Sequence, residues 1–255
     1  MPLSVKLVPC LTDNYAYLLY DRAAGISAVV DPSESGPVRQ ALAAHGLGLS
    51  HILNTHHHFD HTGGNIALKE EFGAIIVGPG KDAERIPGID IGVDETISWK
   101  LGQYAARILE IPAHTRAHIA FHFANDGIVF TGDTLFAMGC GRLFEGTPQM
   151  MWQSLSKLMC LPDGTRIYCG HEYTLNNGRF ALTLEPGNAA LQTRMREVES
   201  LRARSAPTIP STIALEKETN PFLRPNSPEI RRTLGLEHED DVTVFAEIRR
   251  RKDVF

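Results

Sequence analysis

Paired cysteines are missing from this chain. Cys10, Cys140, Cys160 and Cys169 are scattered through 255 residues with no C-x-x-C spacing, which argues against a disulfide scaffold and a zinc ribbon. Long apolar runs are missing too, and a bilayer-spanning helix needs about 20 apolar residues. The first twenty residues have no basic start followed by an apolar stretch, and Asp13 and Asn14 interrupt them. Neither a secretory leader nor membrane attachment is therefore expected, and the cytoplasm is the expected compartment. A basic excess is absent as well: 25 Lys+Arg against 30 Asp+Glu leaves a net charge of −5. Nucleic acid is not an expected partner. Internal repeats and low-complexity segments are also lacking.

What is present is an ordinary globular composition, 43% hydrophobic and 22% charged, enough to build a core without covalent staples. The charge is uneven. Residues 175–255 hold 13 Lys+Arg and 12 Asp+Glu, whereas residues 1–174 hold 12 and 18. Ten of the eleven histidines fall in the first part, His238 being the exception. Histidine is the commonest metal ligand among side chains, so metal chemistry is expected there.

The first part alternates strand and helix signals. Short apolar runs at 5–8, 15–20 and 26–30 read as strands. Residues 35–45 read as a helix, with Pro37 in its first turn and Gly46 just past its end. A strand at 51–54, a helix over 63–72 and a strand at 74–77 follow. Residues 97–111 suggest a hairpin or two strands. The runs 120–123 and 128–130 flank the turn Asn125-Asp126-Gly127. A helix over 149–161 is stopped by Pro162, and 166–169 is the last clear strand. Beyond it the texture becomes helical over 188–205, 229–234 and 242–250, with a proline-bearing connection over 207–228. This change places a domain boundary near 173–178.

The chemistry gathers at strand ends. His56 and His58 lie two apart just beyond a strand, so both imidazoles point the same way and can reach one ion. His57 points oppositely and reads as a spacer. Asp60 and His61 follow in a tight turn, with Gly63-Gly64 letting backbone pass close by. A single ion cannot easily take all four side chains at bonds of about 2.0–2.2 Å, so two ions are expected to share the segment. Three later strand ends or loops each add a ligand type: His114, Asp133 and His171. His118 and His122 are expected in supporting roles.

The runs Thr55-His56-His57-His58-Phe59-Asp60-His61, Ala113-His114-Thr115, Gly132-Asp133-Thr134-Leu135-Phe136 and Gly170-His171-Glu172-Tyr173-Thr174 resemble those of the metallo-β-lactamase superfamily. The closer resemblance, nearly end to end, is to the hydroxyacylglutathione hydrolases, or glyoxalase II. Residues 11–15 (LTDNY), 139–147 (GCGRLFEGT), 185–188 (EPGN), 220–224 (NPFLR) and 249–253 (RRRKD) carry it. The resemblance implies an α+β fold, a four-layer αββα sandwich, with a smaller helical C-terminal domain. The division expected is 1–174 for the catalytic domain and 175–255 for the substrate-binding domain.

It also implies roles. His56, His58 and His114 would hold a first metal, and Asp60, His61 and His171 a second. Asp133 would bridge them, so that Asp60 and Asp133 are the carboxylates of the catalytic centre. The expected cofactors are two divalent ions, zinc foremost, with iron and manganese as alternatives. Arg142, Phe144, Tyr173, Arg249 and Lys252 match positions that meet glutathione in the family. The expected reaction is hydrolysis of S-(2-hydroxyacyl)glutathione, S-D-lactoylglutathione above all, in methylglyoxal detoxification. A monomer is the default. Two departures stand out: alanine at 113 and 117, where glycine is frequent, and Phe144 in place of a tyrosine. A mononuclear iron persulfide dioxygenase is the competing reading, and Asp60, His61 and His171 together argue against it.

Overall fold

The computed structural model describes residues 2–255. The chain forms two compact units: one runs to Glu110 and resumes over Ala117–Gly132, and the other consists of Ile111–Arg116 and Asp133–Phe255.

The first unit opens with an antiparallel meander of β1 (Ser4–Cys10), β2 (Asn14–Asp21) and β3 (Ile26–Val30). Then come α1 (Ser35–His45), β4 (His51–Leu53), α2 (Phe59–Thr62), α3 (Asn65–Phe72), β5 (Ile75–Pro79) and β6 (Ile91–Val93). Strands β4 to β6 extend the sheet in parallel from β3, in the order β1-β2-β3-β4-β5-β6. Strands β7 (Trp99–Leu101), β8 (Tyr104–Glu110), β9 (Ile119–Phe123) and β10 (Ile128–Gly132) form successive antiparallel neighbours of a second sheet.

Helix α1 ends where expected. Gly46 takes φ 60°, and its amide bonds back to the last turn, the left-handed cap that glycine adopts without a Cβ penalty. Val38 and Leu42 of α1, with Leu68 of α3, bury against Val8, Leu18, Val29, Ile52 and Ile76 of the first sheet. Each such side chain contributes about 1.5–3 kcal/mol. On the sheet's other face Tyr17 meets Phe130 of β10 at 5.6 Å, and the Tyr104 hydroxyl donates to Asp21 at 2.6 Å. The layers of this unit are therefore helix, sheet, sheet. Strand β2 is buried along nearly its whole length, as a strand covered on both faces should be.

The second unit contains the hairpin of β11 (Leu135–Phe136) and β12 (Gly139–Cys140), then α4 (Pro148–Met159), β13 (Arg166–Cys169), α5 (Thr174–Leu184) and α6 (Ala189–Ala203). After these come β14 (Ser211–Thr212), antiparallel to β13, and α7 (Ile213–Thr219), α8 (Pro228–Leu234) and α9 (Asp241–Asp253). Met138, Ala181, Leu191, Met195 and Val198 form one cluster of its core. Phe222 joins Phe180 and Phe245 at centroid distances of 6.2 and 5.9 Å.

Two differences from the sequence reading lie here. The stretch 207–228 is not merely a connection. Its prolines flank α7 rather than interrupt it, and Thr212 caps that helix by accepting from the Leu215 amide. Helix α5 was not expected at all, because Asn176, Asn177 and Gly178 weaken its propensity; it packs through Phe180, Ala181 and Leu184, all buried.

Motifs 185–188 and 220–224 form part of this unit's polar interior. Glu185 is buried and accepts from Arg224 at 2.7 and 2.9 Å, from Ser227 at 2.5 Å and from Asn188 at 2.8 Å. Burial alone would push its carboxyl up, but these hydrogen bonds outweigh it and hold the pKa below the ordinary glutamate range.

Candidate metal centre

In the first unit, parallel pairing of β3 with β4 sets Val30 beside Leu53. The residues just past both strand ends are therefore neighbours, the usual place for chemistry in such sheets. The Asp31 amide donates to the Leu53 carbonyl at 2.9 Å. The Asp31 carboxylate accepts from the Thr55 amide at 2.8 Å and from the Thr55 hydroxyl at 2.6 Å. Its Oδ2 also lies 3.1 Å from Nδ1 of His61. Asp31 adopts φ 47°, a left-handed conformation that aspartate tolerates better than most residues.

These bonds set two tautomers. His61 must donate from Nδ1 to the carboxylate, which leaves the lone pair on Nε2. The Thr55 proton goes to Asp31, so the 3.0 Å contact of Thr55 with His56 requires His56 to donate from Nδ1, again leaving Nε2 as the ligand atom. Nε2 of His56 faces Nδ1 of His58 at 3.1 Å, and Nε2 of His61 faces Oδ2 of Asp60 at 3.5 Å. Two donors of one tetrahedral ion at bonds of about 2.1 Å stand about 3.4 Å apart, so both pairs fit a metal's bite. Asp31, His56 and His61 each bring a donor atom within 4.8 Å of the others. Asp31 is already engaged by Thr55 and His61, so it backs the ligands and is not one of them.

Asp60 and His61 lie in the single helical turn α2. Asn14 holds Asp60 there, donating to its backbone carbonyl and its carboxylate, both at 3.0 Å. Asn54 donates to the His61 carbonyl at 3.1 Å. Gly63 permits the turn: a Cβ at that position would lie 2.4 Å from the Ser33 carbonyl oxygen. His118 stacks on His56 at 4.6 Å, and buried His122 lies in β9, its pKa pushed down by burial and then by Arg107. His57, expected only as a spacer, is tied down: Nδ1 sits 3.1 Å from Asp82 and Nε2 3.1 Å from Arg85.

In the second unit, Oδ2 of Asp133 lies 3.5 Å from Nε2 of His114 and 3.2 Å from Nε2 of His171. One carboxylate oxygen flanked by two imidazole nitrogens suits a bridging ligand. All three residues are buried. His114 Nδ1 donates to the Arg142 carbonyl at 2.9 Å, leaving Nε2 to ligate. The His171 ring stacks on Tyr173 at 4.6 Å with the planes 4° apart. Gly141 makes room for the group, since a Cβ there would lie 2.0 Å from the Asp133 carbonyl oxygen and 2.9 Å from His114. Ala113 takes φ 135° and is fully buried; a non-glycine residue there stores about 1–3 kcal/mol of strain. Ala117 has no such conformation.

The expected substrate residues divide. Arg142 and Phe144 are exposed, with the Phe144 ring 5.2 Å from His114, and Tyr173 is partly exposed. Lys252 is half-buried and lies over the Phe180 and Phe255 rings at 5.4 and 4.9 Å. Burial, then the Arg249 and Arg142 charges, push its ammonium down to about 8. Arg249 differs from the others: it is buried, donates to the Cys140 carbonyl at 2.9 Å and pairs with Asp253. Cys140 and Cys169 are held as thiols, burial pushing them up to about 11 and about 12, so neither offers a thiolate nucleophile.

Sequence reasoning missed Asp31, and it quoted Thr55 within a motif without seeing its role. Asp31-Pro32 directly after a strand was a signal, but only the pairing of β3 with β4 gives it meaning. Asn14 lay within a quoted motif without a role.

Residues 12–97 and 101–171 match the family model for the metallo-beta-lactamase superfamily. Residues 172–255 match the model for the hydroxyacylglutathione hydrolase C-terminus. A hydroxyacylglutathione hydrolase of Methylococcus capsulatus is 54% identical over 253 residues, covering 99% of each chain. ETHE1 from Myxococcus xanthus superposes with a TM-score of 0.67 at 24% identity, over 100% of this chain and 99% of that one. The BLEG-1 B3 metallo-beta-lactamase gives 0.66 at 21% identity, over 87% and 100%. These two structures speak to the fold alone, which is that of the metallo-β-lactamases with a helical C-terminal region. By sequence the chain belongs to the hydroxyacylglutathione hydrolase family, a family of hydrolases within the metallo-β-lactamase superfamily.

Proposed function

We propose that this protein hydrolyses the thioester of S-(2-hydroxyacyl)glutathione, S-D-lactoylglutathione foremost, to glutathione and D-lactate, completing methylglyoxal detoxification in the cytoplasm. The observation that carries the reading is that Asp133, flanked by two histidines, shares one unit with the cations Arg142 and Lys252. A glutathione thioester carries two carboxylates, and cations are what recognise them.

His56, His58 and His114 would hold one divalent ion, Asp60, His61 and His171 the other, and Asp133 both. When bound, such a pair supplies a hydroxide near neutral pH and a Lewis acid for the thioester carbonyl. Imidazole and carboxylate ligands suit zinc, iron and manganese alike; zinc is the ion proposed, with iron and manganese as alternatives. The chain's own contribution is orientation. Asp31 and Thr55 keep the Nε2 lone pairs of His61 and His56 available, and the Arg142 carbonyl does the same for His114. Lys252 and Arg142 attract the glutathione carboxylates, Tyr173 and Phe144 line the approach, and Arg249 supports the Cys140 carbonyl. The departing thiolate needs no protein acid. Residues 1–174 would carry the catalysis and 175–255 the glutathione binding, in a monomer. No nucleic-acid or membrane partner is proposed, and among the described residues no helix is long and apolar enough to cross a membrane.

The test is loss of thioester absorbance on adding purified protein to S-D-lactoylglutathione. Rapid turnover supports the reading. A metal-loaded protein that leaves this substrate intact refutes it.

A further inference from the structure

The hairpin 135–140 is too short to satisfy its own backbone. It stands between Asp133 and Arg142, and its tip residue Met138 adopts φ 54°, a costly conformation for an unbranched side chain. Side chains from later in the chain take up its polar groups one by one. One Asn220 Nδ2 proton is shared between the Gly139 carbonyl at 3.0 Å and the Phe136 carbonyl at 3.2 Å. Asn177 donates to the Ala137 carbonyl at 3.1 Å, and Arg249 to the Cys140 carbonyl at 2.9 Å. Glu216 Oε2 accepts the Met138 amide at 2.8 Å and an Asn220 amide proton at 2.9 Å.

Glu216 is itself held from the other side. Its Oε1 accepts from Arg194 at 2.5 Å and from the Ser211 hydroxyl. Arg194 also donates to Thr219 and Ser211. Glu216 and Asn220 are fully buried and Arg194 is nearly so. A buried ion pair is not retained for stability, since apolar residues of similar volume commonly serve as well or better. What apolar residues cannot do is accept an amide proton and donate to carbonyls at defined points.

We infer that Glu216 and Asn220 are positioning residues for the substrate side of the site: they lock the hairpin so that Gly139 to Arg142 present the Arg142 side chain and carbonyl in one arrangement. The Asp133 end of the hairpin follows directly on strand β10, whereas the Arg142 end has no strand of its own: bonds from their backbone groups to the Thr134 carbonyl and the His114 ring hold Gly141 and Arg142, and the clamp fixes the hairpin from which they extend. Loosening it should therefore raise KM more than it lowers kcat. The effect on KM rests on the functional reading above; the rigidity of the hairpin does not.

Amide hydrogen exchange on the wild-type protein comes first. The Met138 to Cys140 amides should exchange as slowly as the core amides of α5. Exchange about 100-fold faster, a clear sign of local opening, overturns the inference. In Asn220→Leu, which keeps the branching and removes the donors, these amides should lose protection, and KM for S-D-lactoylglutathione should rise about tenfold with kcat within about threefold. Ile230→Val, a truncation of a fully buried side chain in α8, should lower the melting temperature and leave KM unmoved. If Asn220→Leu does not fold, Glu216→Gln replaces it with the same expectation. An unlocked hairpin with unchanged KM, or an unaltered hairpin in the variant, overturns the inference. If the wild-type protein hydrolyses no glutathione thioester, the functional reading has failed, and exchange alone decides whether the clamp exists.

Discussion

Replacing Asp31 by asparagine should weaken one metal without disturbing the fold. Asparagine tolerates the left-handed conformation of position 31 about as well as aspartate, so no new strain arises. Its carbonyl can still accept the Thr55 amide now bonded at 2.8 Å. Its amide group, however, replaces the oxygen that lies 3.1 Å from His61 Nδ1. Two N–H groups cannot face each other there, so His61 must shift its proton to Nε2 and lose its ligand lone pair. Loss of such a supporting carboxylate costs about 10–100-fold in metal affinity, or about 1.4–2.7 kcal/mol at 1.36 kcal/mol per decade. The assay is metal content after equilibration against buffered free zinc, with thermal melting alongside. Asp31→Asn should release the ion held by His61 at about 10–100-fold higher free zinc. Retention of both ions at wild-type affinity would refute the tautomer argument.

Further outcomes follow from other residues. Lys252 is charged below about 8 and neutral above it, so KM should climb as pH rises through that value; Lys252→Gln should abolish this dependence and raise KM about tenfold, the lower end for a charged hydrogen bond because the group is half exposed. Glu185→Ala leaves the Arg224 guanidinium without its buried partner and should cost about 3–5 kcal/mol by chemical denaturation. Because the Glu185 pKa is depressed on folding, its contribution is present above the unfolded value, near 4.3, and is lost as pH falls through the folded one. Ala113→Gly relieves the φ of 135° and should stabilise the protein by about 0.5–2 kcal/mol, strain relief offsetting the added chain entropy.

How much of this was legible in the sequence depended on distance along the chain. The run 56–61 could be read because its ligands are local and alternate on one extended segment. Helix α1 could be read because Pro37 and Gly46 mark its ends. Asp31 could not, because its partners Thr55 and His61 lie 24 and 30 residues away and meet it only through strand pairing. The motifs 185–188 and 220–224 pointed to the right family but concealed their own function, since Glu185 and Asn220 act as interior hydrogen-bonding groups. Helix α7 hid among prolines that turn out to flank it. For Arg249 the family resemblance implies a substrate contact; its burial and its bond to the Cys140 carbonyl were not legible, because Cys140 lies 109 residues away.

The most direct test of the central claim is metal reconstitution. Stripped protein would be titrated with zinc while S-D-lactoylglutathione hydrolysis is followed. The account predicts that activity rises until two equivalents per chain are bound and that Asp133→Ala neither retains both ions nor turns over. Full activity at one equivalent, or an Asp133→Ala protein that keeps two ions and hydrolyses normally, would contradict it.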